Sequence, residues 1–170
     1  MFEITAPRPG DAAAIEALLD RAFGPGRQSK RSYDYRKNRP PIASLSFVAR
    51  EDGAIVGSIA YWAVFIGPAT PALLLGPLAV EPSRKHDGIG SALMKHSLAA
   101  AAAAGHEIVV LVGDPDYYAR FGFSSAAEVG ITMPGEQPER LRVRELSQGA
   151  LAGVTGEIRA VSALPRVRVA

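Results

Sequence analysis

The chain has 170 residues, of which 48% are hydrophobic and 21% are charged, and this composition is typical of one globular domain. It contains no cysteine and three histidines, which excludes disulfide frameworks, thiol nucleophiles and thiolate zinc sites, and we expect no metal. Nineteen Lys and Arg against seventeen Asp and Glu leave a net charge of +2, so the positions of the charges matter more than their sum.

The N-terminal residues predict a short strand followed by a helix. Residues 2–5 form the strand candidate, and Asp11 is a candidate helix N-cap. Apolar side chains then recur at spacings of three and four up to Phe23, where a Gly-Pro-Gly stop follows. Because this terminus lacks the basic and apolar regions of a signal peptide, we expect a cytoplasmic protein.

Residues 27–41, which we call the basic segment, carry six Lys or Arg against one acidic residue, Asp34, with Tyr33 and Tyr35 among them. A solvated helix or loop is the simplest interpretation of such a run. Six cations could also neutralise the phosphates of a nucleic acid. No nucleic-acid-binding motif accompanies them, however, and we expect no nucleic-acid partner.

Residues 53–80 contain no charged side chain and are long enough to cross a bilayer as a helix. Pro68 and Pro71 lie in the middle of this run, where each would remove a backbone donor and kink a membrane helix. Two buried strands joined by a turn therefore fit better, and we expect no membrane association.

The order of the remaining elements predicts a mixed α/β sheet. A bulge is expected at Gly76-Pro77, because proline cannot donate a hydrogen bond to the neighbouring strand. A helix at residues 88–104 lies between strands at 73–80 and 108–112, which implies that these two strands pair in parallel. Apolar patches in the last third of the chain predict further strands at residues 129–133, 140–146 and 157–161.

The loop before the second helix is the most informative stretch. Gly88 and Gly90 open the helix, whose first N–H groups are unpaired and carry the positive end of the helix dipole, which favours a phosphate. Arg84, Lys85 and His86 can add positive charge beside it. The lysine precedes the glycines, which excludes a P-loop, and Leu93 occupies the position where a dinucleotide fingerprint needs a small residue. An ordinary helix cap is the alternative.

Two motifs in order carry a resemblance to a known family. Val-x-Pro-x-x-Lys-x-x-Gly-x-Gly at residues 80–90 resembles the acyl-CoA pyrophosphate loop of the GNAT acetyltransferase superfamily, although family members usually have arginine or glutamine where this chain has Lys85. Tyr-Ala-Arg-Phe-Gly-Phe at residues 118–123 resembles the later Tyr-x-x-x-Gly-Phe signature of the family. The resemblance covers about residues 1–125.

The resemblance implies an α/β (α+β) fold with a mixed, mostly antiparallel sheet flanked by helices, in which a splayed pair of parallel strands forms the acyl-CoA cleft. It implies one acetyltransferase domain over residues 1–170, in which residues 126–170 complete the sheet or form an interface with a second chain. A homodimer is therefore one expectation for the assembly.

The resemblance also implies which residues meet acetyl-CoA. Tyr118 would protonate the departing CoA thiolate; its alternative is a packed tyrosine. Asp114 would contact the cofactor arm, and its alternative is a helix N-cap. Asp87 is an awkward neighbour for a pyrophosphate, so we expect its side chain to turn outward. The expected cofactor-binding residues are Leu78, Ala79, Val80, Lys85, His86, Asp87, Gly88, Ile89, Gly90, Ser91, Asp114 and Tyr118.

The implied activity is N-acetylation by direct attack in a ternary complex, with acetyl-CoA as the donor and an amine of a small molecule or peptide as the acceptor. The basic segment would border the acceptor, with Tyr33, Tyr35 and Arg36 binding it, and would prefer an anionic group there or meet the nucleotide phosphates of CoA. Residues 53–80 offer no carboxylate base. A non-catalytic acyl-CoA-binding or regulatory module is therefore the alternative.

Overall fold

Two neighbouring strands of the sheet show how the fold is layered, because successive side chains of a strand point to opposite faces of the sheet. Val48 and Ile55 pack against the first helix, whereas their chain neighbours Ala49 and Val56 pack against the second helix. The sheet therefore lies between these two helices. The structure, a computed structural model, describes residues 1–161; the predicted C-terminal region 126–170 ends outside this range.

The described residues form three α-helices and nine strands. The helices are α1 (Ala12–Phe23), α2 (Ile89–Ala103) and α3 (Pro115–Ala119). The strands are β1 (Glu3–Thr5), β2 (Phe47–Glu51), β3 (Ala54–Ile66), β4 (Thr70–Val80), β5 (Ile108–Val112), β6 (Ser124–Ser125), β7 (Ile131–Thr132), β8 (Leu141–Glu145) and β9 (Gly156–Ala160).

The strand order β1-β2-β3-β4-β5-β8-β6 confirms the predicted mixed, mostly antiparallel sheet flanked by helices. β4 and β5 pair in parallel, as the intervening helix predicted, and β9 pairs antiparallel to the end of β3 and parallel to the short β7. β8 pairs with β5. The late patches of the sequence therefore do form strands, and two of them extend the sheet.

β4 and β5 stay together only briefly. Leu73 pairs with Val109 and Leu74 with Val110, after which β4 continues along β3 alone. The register between β3 and β4 shifts where Gly76-Pro77 lies opposite Ala60, which is the bulge predicted at this proline. The indole N–H of Trp62 donates to the Gly76 carbonyl at 2.7 Å. The bulge and the end of pairing together open a gap between the two parallel strands.

The uncharged run of residues 53–80 is the β3–β4 hairpin and not a membrane span. Asp52 and Gly53, at φ 50° and 80°, make the preceding turn between β2 and β3, as the Asp-Gly pair favours. Among residues 1–161, no helix has the length and apolar character needed to cross a bilayer.

The first helix begins next to Asp11, as the sequence predicts, but the carboxylate of this residue does not cap the helix. It accepts hydrogen bonds from the backbone N–H of Arg8 and from the Arg50 guanidinium, both at 2.6 Å. These bonds hold the pKa of Asp11 below its usual range. The pair links the start of α1 to β2.

The second helix is fixed by its apolar side. Leu93 and Met94 are fully buried against the sheet, and burying a side chain of this size stabilises the fold by about 1.5–3 kcal/mol. Gly88, just before the helix, has a left-handed φ of 79°, which glycine adopts without steric cost. The start of α2 is thereby held at the end of β4.

Candidate active site

A cavity of about 810 Å³ occupies the gap between β4 and β5. Its sides differ in origin, and we name them separately. The strand wall consists of residues 75–78 of β4, residues 111–114 at and just after the end of β5, and the side chains of Lys85, Tyr117 and Tyr118. The basic wall is lined by Arg27, Lys30, Arg31, Tyr33, Arg36, Glu136 and Arg140.

Tyr118 lies on the strand wall, where α3 follows β5. Its ring covers Gly113 so closely that any side chain at this glycine would collide with it. The ring also contacts Tyr117 edge to face, with the centroids 4.9 Å apart. Burial raises the pKa of Tyr118 to about 12, so the hydroxyl keeps its proton at neutral pH. The side chain lines the cavity.

Asp114 lines the cavity and also begins α3. One of its carboxylate oxygens accepts the backbone N–H of Asp116 at 3.0 Å, which is the N-cap interaction that the sequence offered as the alternative role. The side chain therefore serves the helix while it remains at the cavity edge.

The loop before α2 brings a helix N-terminus to the end of β4, with Lys85 on the cavity surface. Arg84 is turned away from such a role, because its guanidinium pairs with Glu51 and with Asp87. Hydrogen bonds from Arg84 and from the chain terminus hold the pKa of Glu51 at about 2. Asp87 is thus oriented by Arg84, and Lys85 is the loop cation left for a ligand.

The other residues expected to meet the cofactor differ in how close they lie to the cavity. Leu78 lines the cavity; Gly90 lies against the hydroxyl of Tyr117. Ala79 packs on the α1 side and Ile89 on the α2 side of the sheet; they can offer the cavity only their backbone. Four further predicted residues lie around the start of α2 without appearing on the cavity surface: Val80, His86, Gly88 and Ser91.

The basic segment folds into short 3₁₀ turns, one of which spans Arg31–Tyr35. Residues three apart in such a turn share a face, and Tyr33 and Arg36 accordingly both line the cavity. Tyr35 does not, because its hydroxyl donates to the carbonyl of Ile158 on β9 at 3.1 Å. The structure therefore brings two of the three predicted acceptor residues to the site.

Arg36 is a partly buried cation of the basic wall. Its Nη2 atom lies 2.9 Å from the position that a Cβ on Gly76 would take, so the guanidinium rests on the bulge of β4. Its Nε atom is buried without a hydrogen-bond partner. Burial lowers the pKa of Arg36 to about 10, which leaves the side chain charged at neutral pH.

Glu136 and Arg140 complete the basic wall, and no motif or spacing in the sequence points to them. They lie in the loop and 3₁₀ turn between β7 and β8, 13 and 17 residues after the end of the last motif at residue 123. Arg140 is near enough to Tyr118 to favour its ionised form. Its backbone carbonyl accepts the N–H of Gly113 at 2.9 Å, which ties this late segment to the strand wall.

The side chains that line the cavity limit the chemistry that the chain can perform. Among residues 1–161, no cluster of three or more histidine, aspartate or glutamate side chains is placed to hold a metal ion. The strand wall carries the phenol of Tyr118 and the ammonium group of Lys85, which precedes the N-terminus of α2. Asp114 and Glu136 supply two carboxylates. These groups suit binding of a phosphate-bearing ligand and proton transfer in the gap between β4 and β5.

Comparisons with known proteins identify a family and several relatives of this chain. Residues 43–125 match a family model described as an acetyltransferase (GNAT) domain. The N-acetyltransferase YhbS of Escherichia coli K12 is 34% identical over an alignment of 152 positions that covers 87% of this chain and 89% of the relative. YjhQ of the same strain, also named an N-acetyltransferase, is 30% identical over 88% of this chain and 86% of its own length.

Two solved structures extend the match to the fold. The crystal structure of Escherichia coli YhbS in complex with CoA superimposes with a TM-score of 0.83 and 30% identity, over 94% of this chain and 89% of that one. A GNAT acetyltransferase from Brucella melitensis, solved with acetyl-CoA, gives a TM-score of 0.73 and 29% identity, over 97% and 99% of the two chains.

Proposed function

The chain belongs to the GNAT acetyltransferase family, and from this premise we propose that it transfers the acetyl group of acetyl-CoA to an amine. The acceptor is the amine of a small molecule or peptide, and the reaction is a direct attack within a ternary complex. We propose further that residues 1–170 act as one acetyltransferase domain. The observation that carries the proposal is the cavity in the gap between β4 and β5, with Tyr118 on its surface.

The strand wall suits acetyl-CoA along its length. The pantetheine arm would lie in the gap beside the backbone of residues 78–80, and the pyrophosphate would meet the N–H groups at the start of α2, between Lys85 and Ser91. Two solved relatives hold CoA or acetyl-CoA, which supports the same ligand here. The cavity volume of about 810 Å³ is within the range of about 300–1,000 Å³ usual for small-molecule sites.

In the proposed reaction the amine nitrogen attacks the thioester carbon, a C–N bond forms, and the C–S bond breaks. The sulfur leaves as a thiolate and takes the proton of the Tyr118 hydroxyl. The attacking amine also loses a proton during this reaction. Holding the amine and the thioester together in one cavity supplies much of the rate enhancement.

The proton of the amine needs an acceptor, and the central strands offer no carboxylate. Asp114 and Glu136, however, both line the cavity, and either can receive the proton through water. Their presence weakens the reason for regarding the chain as a non-catalytic acyl-CoA-binding module, because that alternative rested on a missing base.

Calorimetric titration with acetyl-CoA, followed by measurement of CoA release with a thiol reagent, tests the proposal. The protein has no cysteine, so the reagent reports only the thiol of CoA. We expect saturable binding and amine-dependent release of thiol across a panel of amines. Binding without release from any amine would favour the non-catalytic module, and no binding at high micromolar acetyl-CoA would refute both.

A further inference from the structure

Arg36 is a partly buried cation for which residues 1–161 supply no carboxylate. Its Nε atom is buried without a hydrogen-bond partner, and among residues 1–161 no carboxylate lies within 4 Å of its guanidinium. Burial of a charge without a partner is costly, because the lost hydration is not replaced. A cation in this state at a cavity surface is well suited to an anionic ligand.

Two other enclosed arginines show the usual arrangement in this protein. Arg27, whose side chain is 12% exposed, pairs with Glu16 and with Asp20. Arg50, whose side chain is 9% exposed, pairs with Asp11. Arg142 and Arg144 have no carboxylate partner among residues 1–161 either, but each donates a hydrogen bond to a backbone carbonyl. Within the same residues the guanidinium of Arg36 has neither kind of partner, so it is available to an external anion.

The position of Arg36 indicates which substrate brings that partner. The guanidinium rests on Gly76, four residues before Val80, where β4 ends. Four strand residues span about 13 Å, and the start of α2, where the CoA pyrophosphate would bind, lies beyond that end. The thioester end of acetyl-CoA carries no charge. An anion at Arg36 is therefore supplied by the acceptor.

We propose that the acceptor is a small amine that also carries an oxyanion, a carboxylate or a phosphate, and that Arg36 binds this group. The inference rests on the proposed acetyltransferase function. A guanidinium offers a planar fork of donors that matches either oxyanion. Lys30, Arg31 and Arg140 line the same wall against a single carboxylate, Glu136, so the surroundings also favour a negatively charged group.

Matched acceptors test the proposal in the wild-type protein. 4-Aminobutyrate is compared with butylamine, and 3-aminopropyl phosphate with 3-amino-1-propanol, by thiol release at saturating acetyl-CoA. We expect the acidic member of at least one pair to have a kcat/KM about ten- to a hundredfold higher, as expected for a charge-assisted hydrogen bond. The pair with the larger ratio identifies the oxyanion as carboxylate or phosphate.

Variants assign the preference to Arg36. Arg36→Met should lower kcat/KM for the acidic acceptor by about ten- to a hundredfold, mainly through KM, with the Kd for acetyl-CoA within about twofold of wild type. Arg36→Lys keeps the charge but not the fork and should retain part of the preference. Lys37→Met is the matched control, because the Lys37 side chain is 65% exposed and lies 3.9 Å from Asp34. It should leave the preference unchanged.

The results separate this inference from the function on which it rests. Equal kcat/KM within both pairs, or a preference that survives Arg36→Met, would overturn the inference, while acetyl-CoA binding and thiol release would still support acetyl transfer. If none of these amines reacts, titration of the two N-acetylated acids into CoA-saturated protein decides. Binding that Arg36→Met abolishes supports the inference, and no binding overturns it. Absence of acetyl-CoA binding would refute the proposed function and this inference together.

Discussion

The strand wall and the basic wall of the cavity are built in different ways. The strand wall comes from residues 75–118, at β4, at Lys85 in the loop before α2 and at the β5–α3 junction, where the elements follow one another along the chain. The basic wall combines residues 27–36 with residues 136–140, which are about a hundred positions apart. One wall is formed by consecutive elements, and the other is formed by segments that only the folded chain brings together.

The arginines in and beside the cavity differ in whether the fold pairs them. Arg84, in the loop before α2, is engaged by Glu51 and Asp87, and Arg27 of the basic wall is also paired with carboxylates. On the basic side, Arg36 has no carboxylate within 4 Å among the described residues. The number of arginines in a segment therefore says little about which of them can bind a ligand, because internal carboxylates occupy some of them.

The largest effect is expected at Tyr118, which lies on the strand wall where the acetyl group would be transferred. Tyr118→Phe removes the acidic proton but keeps the ring on Gly113, so we expect kcat to fall by about 10²–10³-fold. The Kd for acetyl-CoA should stay within about twofold. Steady-state thiol release and calorimetry measure the two quantities.

The matched control is Tyr35→Phe, in which the lost hydroxyl bonds to Ile158 on β9. It should leave kcat and the acceptor KM within about twofold of wild type, a change of under about 0.5 kcal/mol. A large rise in KM would instead support the sequence-based expectation that Tyr35 binds the acceptor. Comparable losses in both variants would mean that Tyr118 contributes packing and not a proton.

The second effect tests the helix N-terminus beside the strand wall. A Cβ at Gly90 would lie 2.9 Å from the Tyr117 hydroxyl, so Gly90→Val should displace this ring and narrow the approach to the helix N-terminus. We expect the Kd for acetyl-CoA to rise about tenfold or more, equivalent to about 1.4 kcal/mol. Gly10→Val is the control, since a Cβ there meets no atom within 4 Å. Equal Kd values for the two variants would place the pyrophosphate elsewhere.

A smaller effect distinguishes free from paired cations beside the helix. Lys85 lines the cavity, and Lys85→Met should raise the Kd for acetyl-CoA about two- to fivefold at low salt, as expected for one solvent-exposed charge interaction. The difference should shrink at 0.5 M NaCl, where such interactions are screened. Arg84→Met should change the Kd less than Lys85→Met, because Arg84 is already paired. The reverse order would show that Arg84 contacts the phosphates.

The smallest effect concerns pH and the pairing of Arg84 with Glu51. The pKa of Glu51 is lowered from 4.5 to about 2 in the folded protein, so the stability gained from this carboxylate is present above about pH 4.5 and is lost as the pH falls toward 2. Glu51→Gln should therefore show a shallower fall of Tm between pH 4.5 and 2 than the wild type. Glu139→Gln, at an exposed position, should follow the wild type; identical slopes in all three proteins would contradict the pairing.

Much of the fold and of the strand wall could be predicted because the signals are local. The Asp52-Gly53 turn, the bulge at Gly76-Pro77 and the parallel pairing across α2 each depend on a few neighbouring residues or on one crossover. Asp11 shows the limit of such signals. Its position beside α1 was predicted, but its carboxylate serves Arg50, which is 39 residues away.

The order of the main elements, the helix N-terminus after β4 and the position of the motif tyrosine, Tyr118, could all be read from the amino-acid sequence. The folded arrangement was needed to show that Tyr33 and Arg36 line the cavity while Tyr35 bonds to β9, and that Glu136 and Arg140 join them. This difference arises because a motif is maintained by hydrogen bonds and steric limits within a few residues. Whether a charged side chain is paired or free depends instead on carboxylates that packing brings from distant parts of the chain.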